Sequence, residues 1–214
     1  MIELNPLRIV LADDHTIVRM GFRLLIEGAG ATVVAEADSG ETAIKAWNEH
    51  RPDVLVMDVS MPGIGGLAAL ERLLAHHPEA RVLMLSAHDD TLIPSRALQS
   101  GASGYLSKRA HPDTLLQAIT EVAAGRRYLD PELAPRLALA HLCGGGHPAQ
   151  ALTGKEFSVF VQLAGGRSVN EVAATLNLSS STVGTHLYHI KQKLNASNAA
   201  ELALIAVRAG LVEL

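Results

Sequence analysis

Cysteine occurs once in 214 residues, at Cys143, so the chain cannot close an internal disulfide. That fits a reducing compartment such as the cytoplasm. Aromatic residues make up only 3%, which disfavours the stacking groove used for single-stranded nucleic acid. Long apolar runs are missing too. None reaches the roughly 18 residues of a membrane-spanning helix, so no membrane partner is expected. The opening MIELNPLRIVLADD has neither a basic n-region nor an apolar h-region, so no secretory leader is expected. The chain is instead 48% hydrophobic, enough for a packed core, and long enough for two domains.

The net charge of −4 is unevenly spread. Residues 1–125 carry 10 Lys/Arg against 16 Asp/Glu. Residues 152–214 carry 5 against 4. An acidic part followed by a nearly neutral one suggests two modules with different partners.

The first part alternates short apolar runs, at 9–12, 32–37, 54–57, 82–85 and 104–106, with amphipathic stretches near 16–28, 40–50, 66–77, 93–101 and 112–124. Five β-α repeats predict an α/β fold, a five-stranded, doubly wound parallel sheet over 1–125. In such sheets ligands bind beyond the carboxyl ends of the strands. Residues 126–151 read as a linker, with a short helix possible around 131–141 and a glycine-rich tether in CGGGHPAQA. Residues 152–214 read as an all-α module of four short helices. Thr153 with Glu156, Ser168 with Glu171, and Asn198 with Glu201 have capping-box spacing, and a fourth start falls at Ser179 or Ser180. Four such helices suit a helix-turn-helix unit.

In VLVMDVSMPGIGG, Asp58 ends a doubly buried strand and faces a Pro/Gly loop. A carboxylate there can be a helix cap, a salt-bridge partner or the working group of a site. Its neighbours in the fold narrow the choice. The first strand ends in Asp13 and Asp14, the fourth in Ser86, and the fifth leads into Ser107 and Lys108. Parallel strands bring these ends to one edge. Three carboxylates crowded together repel. A hard divalent cation, best Mg²⁺, relieves this with oxygen ligands and retained waters. A carboxylate, a cation, a lysine and a hydroxyl are what phosphoryl transfer onto an aspartate requires. Either Asp13 or Asp14 alone could instead cap the helix starting near Thr16.

LADDHTIVR, VLVMDVSMPGIGGLAAL, VLMLSAHDD and GASGYLSKRA resemble the receiver domain of bacterial two-component response regulators, a flavodoxin-like fold. The tail from LTGKEF to RAGLV resembles the LuxR-type helix-turn-helix. In this order the two motif sets resemble the NarL/FixJ class over nearly the whole chain, and DDH, DVSMP and LSKR also resemble regulators of hexose-phosphate uptake. The resemblance implies that Asp58 is the phosphoacceptor. It implies that Asp14 and the Ser60 carbonyl bind the metal with Asp58, and that Asp13 helps through water. It makes Ser86 and Tyr105 the switch pair and gives Lys108 the phosphoryl contact. Ser60 and His88, each two residues beyond a strand-end site residue, are expected to tune the phosphoryl lifetime. Implied partners are a sensor histidine kinase, double-stranded DNA and a second copy on phosphorylation. Many receivers carry Lys-Pro after the fifth strand; here Lys108-Arg109 removes the expectation of a cis proline. Pro94 predicts a short fourth helix starting near 93.

The same class places a recognition helix at about 180–194. Val183, Leu187, Ile190 and Leu194 follow its buried stripe. Ser181, Thr182, Thr185, Tyr188, His189 and Gln192 are the groove-facing candidates, and Lys191 and Lys193 suit phosphates. Gly184 and Tyr188 stand where basic residues are common in the class. His76 and His77, adjacent on a helix, do not face each other, and His186 with His189 lacks a third ligand of suitable spacing, so zinc is not expected. Two other function classes compete. An aspartate-nucleophile phosphatase usually carries a second Asp two residues on, where this chain has Ser60. A ligand-gated regulator would need an apolar pocket in place of an acidic edge.

Overall fold

The computed structural model describes residues 4, 6–87, 91–142, 147–209 and 211–212. His88 and the tether glycines beside Cys143 lie outside the described residues. The chain divides into two compact units, Met1–Asp89 with Pro94–Leu137, and Asp90–Ile93 with Ala138–Leu214.

The first unit is built on a parallel sheet. Its strands are β1 (Arg8–Ala12), β2 (Thr32–Ala37), β3 (Val54–Asp58), β4 (Val82–Ser86), β5 (Gly104–Ser107) and β6 (Tyr128–Leu129). Their spatial order is β2-β1-β3-β4-β5-β6. Strands β3 and β4 are buried along their whole length, which is why they read as unbroken apolar runs rather than alternating ones. Its helices are α1 (Thr16–Gly28), α2 (Gly40–His50), α3 (Gly66–His76) and α5 (Pro112–Ala123), while α4 (Leu92–Gln99) and α6 (Ala134–Leu142) each cross one of the boundaries between the units. Ile9, Leu11, Val54, Val56, Leu83 and Ile119 form part of one wholly buried core.

The sixth strand corrects the five-strand expectation. Tyr128 pairs with Gly104 and Leu129 with Tyr105. Two residues carry no readable alternation; burial of Tyr128 and the otherwise unpaired edge of β5 create the strand. Helix α4 begins at Leu92 and runs 8 residues. Pro94 therefore falls in its first turn, where a missing N–H is tolerated.

Gly66 fixes the turn out of β3. A Cβ at this position would sit 2.0 Å from the Asp58 carbonyl oxygen. Its own N–H donates to Val59 O at 2.9 Å, closing the loop tightly after Asp58.

The second unit carries a 3-10 turn (Pro148–Ala151) and helices α7 (Gly154–Ala164), α8 (Val169–Leu176), α9 (Ser180–Leu194) and α10 (Ala199–Arg208). Thr153 with Glu156 and Ser168 with Glu171 close reciprocal capping boxes. Asn198 accepts from Glu201 N at 2.9 Å, while the Glu201 carboxylate reaches back to Ser197 N and Asn198 Nδ2. Ser179 accepts from Thr182 N and starts α9. Each cap contributes about 1 kcal/mol to an otherwise marginal short helix. Phe160, Val172, Val183 and Ile190 are wholly buried. No helix among the described residues is long and apolar enough to cross a membrane.

Candidate functional site

Strand order places β1 beside β3, and the connection leaving β1 runs to β2 while that leaving β3 runs to β4, in opposite directions. That is where an open α/β sheet forms a crevice. Asp13 and Asp14 follow β1, Asp58 ends β3, Ser86 ends β4 and Lys108 follows β5. Asp13, Asp58 and Ser86 are buried to within 1% of full coverage.

The residues expected to converge do so. The Lys108 ammonium lies 2.7 Å from Asp58 Oδ2 and 2.7 Å from Asp13 Oδ2. Lys108 N donates to Ser86 O at 2.7 Å, so the loop after β5 is pinned to the end of β4. Ser60 N donates to Asp58 Oδ1 at 3.2 Å, and the Ser60 side chain is exposed at the mouth. Tyr105 is fully buried within β5. Burial pushes the Asp58 carboxyl up; Lys108 opposes this, Asp13 adds to it, and the net value is raised. Burial alone would lower the Lys108 ammonium, but its bonds to Asp13 and Asp58 outweigh it and hold the ammonium above its usual value.

Asp13, Asp14, His15 and Asp58 can each offer a ligand atom, all within 4.8 Å of one another. A set dominated by carboxylate oxygens, two of its members wholly buried, fits a hard divalent cation. Neither Asp13 nor Asp14 caps α1. The N-cap is His15, which makes no side-chain cap bond, and His15 N donates instead to Asp13 Oδ1 at 2.9 Å.

Three neighbours were not singled out from sequence. His15 Nδ1 stands 3.0 Å from Asp14 Oδ1; its place directly after Asp14 was the available signal. Arg19 donates to the Asp13 carbonyl and, through Nε, to Glu36 at 2.8 Å, which braces the end of β1. Asp130, 3% exposed, accepts from Ser107 N at 3.0 Å. It lies in a stretch that reads as linker, and nothing local marks it.

In the second unit Ser181, Thr185, Tyr188, His189 and Gln192 are exposed along α9, opposite the buried Val183, Ile190 and Leu194. Leu187, expected in the buried stripe, is half-buried. Ser181, Thr182, Thr185, His186 and His189 line a depression of about 370 Å³. Lys191 Nζ donates to Ser197 O at 3.1 Å. Lys193 Nζ is engaged with the buried Glu156 carboxylate at 2.6 Å.

Residues 9–120 match the family described as "Response regulator receiver domain", and residues 150–206 match "Bacterial regulatory proteins, luxR family". The chain is 41% identical over 210 residues to the response regulator GacA of Pseudomonas viridiflava, covering 97% of this chain and 98% of that one. It is 37% identical over 208 residues to the response regulator UvrY of Escherichia coli K12, covering 96% and 95%. Among solved structures, RcsB of Salmonella enterica serovar Typhimurium, bound to promoter P1flhDC with the phosphomimetic BeF3-, is 27% identical with a TM-score of 0.72. That match covers 94% of this chain and 98% of the RcsB chain.

Proposed function

The chain belongs to the two-component response regulators that join a receiver domain to a LuxR-type DNA-binding domain, and we propose that it takes a phosphoryl group on Asp58 from a sensor histidine kinase. Proteins of this family act as transcription factors, not turnover enzymes. We assign residues 1–125 to the receiver, 126–151 to a linker whose first residues add β6 to the receiver sheet, and 152–214 to the output domain. The observation that carries the phosphoacceptor reading is one ammonium, Lys108 Nζ, 2.7 Å from each of two buried carboxylates, Asp58 and Asp13.

The residues would act as follows. An Asp58 oxygen attacks phosphorus, the bond from phosphorus to the donor atom breaks, and the donor leaves with that electron pair. The new bond is an acyl phosphate. Lys108 neutralises charge on the phosphoryl oxygens, and Ser86 supplies a hydroxyl at the adjacent strand end. Asp13 and Asp14 would hold Mg²⁺ with Asp58 and the Ser60 carbonyl, and Mg²⁺ when bound would offset the charge gathered there. Ser60 and His88 would govern how readily water reaches the product. Drawing Ser86 toward the phosphoryl group would leave room for Tyr105 to follow, biasing a two-state element.

Such a change would favour a homodimer in the cytoplasm, bound to paired half-sites on double-stranded DNA. On α9, Ser181, Thr182, Thr185, Tyr188, His189 and Gln192 would face the groove, with Lys191 and Lys193 beside the phosphates. Incubation with acetyl phosphate and Mg²⁺ tests the reading. A persistent adduct of one phosphoryl group per chain supports it. Continuous release of inorganic phosphate supports an aspartate-based phosphatase instead.

A further inference from the structure

Lys108 reaches the phosphoryl pocket from the loop between β5 and α5, and that loop is thinly packed. A cleft of about 390 Å³ flanks it on the side of Phe22, Leu106 and Pro112. A second, of about 470 Å³, flanks it on the side of Arg109, His111 and Arg136. Between two clefts, hydrogen bonds rather than close packing set where the loop sits. Lys108 N donates to Ser86 O at 2.7 Å and Ala110 N to Ser107 O at 3.0 Å. At the end of β5, just before this loop, Ser107 N donates to Asp130 Oδ2 in a later segment at 3.0 Å.

Asp130 is bonded on both sides. Its Oδ1 accepts from Glu132 N at 2.9 Å. Its carbonyl accepts from Leu133 N and Ala134 N, both at 3.0 Å, and Ala134 is the first residue of α6. Its own N–H donates to Tyr105 O at 2.9 Å. One carboxylate, 3% exposed, therefore binds the residue before Lys108 with one oxygen and the turn into α6 with the other. A buried carboxylate accepting two backbone N–H groups is held firmly in place, because releasing either leaves a charge and a donor unsatisfied.

We propose that Asp130 is a positioning residue that couples the Lys108 loop to the start of α6, so that phosphoryl capture at Asp58 is felt at the segment leading out of the receiver. The inference rests on the phosphoacceptor reading above. When Lys108 shifts to meet a phosphoryl group, Ser107 moves with it, and the shared carboxylate moves Glu132 and the first turn of α6.

The test is backbone amide NMR of the full chain with Mg²⁺, before and after addition of beryllofluoride. In the wild type the amides of Lys108, Ser107 and Glu132 are expected to shift together. In Asp130→Ala the Lys108 shift persists and the Glu132 shift is lost. The phosphorylation-induced gain in DNA affinity falls by about 2- to 30-fold, the range produced by mutations along a coupling path. Asp130→Asn, which keeps one acceptor oxygen, gives an intermediate gain. A purely structural role would lower thermal stability and leave that gain unchanged, which would overturn the proposal. The wild-type spectrum decides even where a variant does not fold. If Lys108 shifts and Glu132 does not, the coupling is wrong and the phosphoacceptor reading stands. If nothing shifts around Asp58 and Lys108, that reading fails and the inference with it.

Discussion

The Lys108 ammonium and the Asp58 carboxylate, 50 residues apart in sequence, lie 2.7 Å apart, with Asp58 almost wholly buried. Asp13 shares the same ammonium at the same distance. One positive charge thus compensates two negative ones, and the pocket keeps a net negative charge that a divalent cation can complete.

That balance predicts the behaviour of Lys108→Ala. Removing one partner of a buried ionic group costs about 3–5 kcal/mol, because the remaining charges stay buried. The variant should melt well below the wild type in EDTA. Millimolar Mg²⁺ should recover part of the loss, since a cation can take over the compensation. Thermal unfolding with and without Mg²⁺ measures both, and a variant indifferent to Mg²⁺ would contradict the cation assignment.

Asp58 gives a prediction with a definite sign. Its pKa is raised in the fold, first by burial. The folded state therefore holds this proton more tightly than the unfolded chain does. The associated stability is fully present below the ordinary carboxylate range and is lost as pH rises through the raised value. Asp58→Asn never ionises and escapes that loss. In the absence of metal, Asp58→Asn should melt higher than the wild type near neutrality, and the gap should close as pH falls below the ordinary carboxylate range. Melting curves across pH in EDTA decide this; a gap that widens toward acid would have the wrong sign.

Gly66→Ala should be severe. The added methyl would meet the Asp58 carbonyl oxygen at 2.0 Å, a contact with backbone that no side-chain rotation relieves. A cost of about 3 kcal/mol, the upper end for overpacking, is expected by denaturant titration. Phosphoryl uptake should also drop, because the end of β3 must shift. Full uptake with unchanged stability would mean the turn is softer than its geometry implies.

In the output unit Lys191 and Lys193 should separate. Lys193 is engaged with Glu156, whose carboxyl burial alone would raise, but which Lys193 and Thr153 hold below its usual value. That contribution is present above the ordinary carboxylate range and fades as pH falls through the depressed value. Lys193→Ala should therefore lower thermal stability at neutral pH, and Lys191→Ala should affect it less. Each lysine that also touches a DNA phosphate contributes about −0.9 to the salt slope of log affinity. Lys191→Ala should make that slope shallower by about this amount, and Lys193→Ala should change it less. Binding isotherms at several salt concentrations make the comparison.

The pocket was legible in sequence because Asp13, Asp58 and Ser86 each end an unbroken apolar run and Lys108 directly follows the next strand. Asp58 after Val54–Met57, Ser86 after Val82–Leu85 and Lys108 shortly after β5 need only the rule that parallel strands share an edge. The four output helices were legible from their caps at Thr153, Ser168, Ser179 and Asn198. What stayed hidden depends on tertiary contact. Tyr128–Leu129 is too short to show a period, and it becomes a strand because β5 offers an edge. Asp130 is a site-bracing residue only because Ser107 comes within 3.0 Å of it. The partner of Lys193 is 37 residues away on another helix. No local pattern announces such pairs.

The most direct test of the whole account is the stoichiometry of phosphoryl transfer, read by intact-protein mass after incubation with acetyl phosphate and Mg²⁺. The wild type should gain one phosphoryl group per chain, Asp58→Asn none, and only the phosphorylated wild type should dimerise and bind its operator more tightly. Uptake by Asp58→Asn at the wild-type level would contradict the account, because the acceptor would then lie elsewhere.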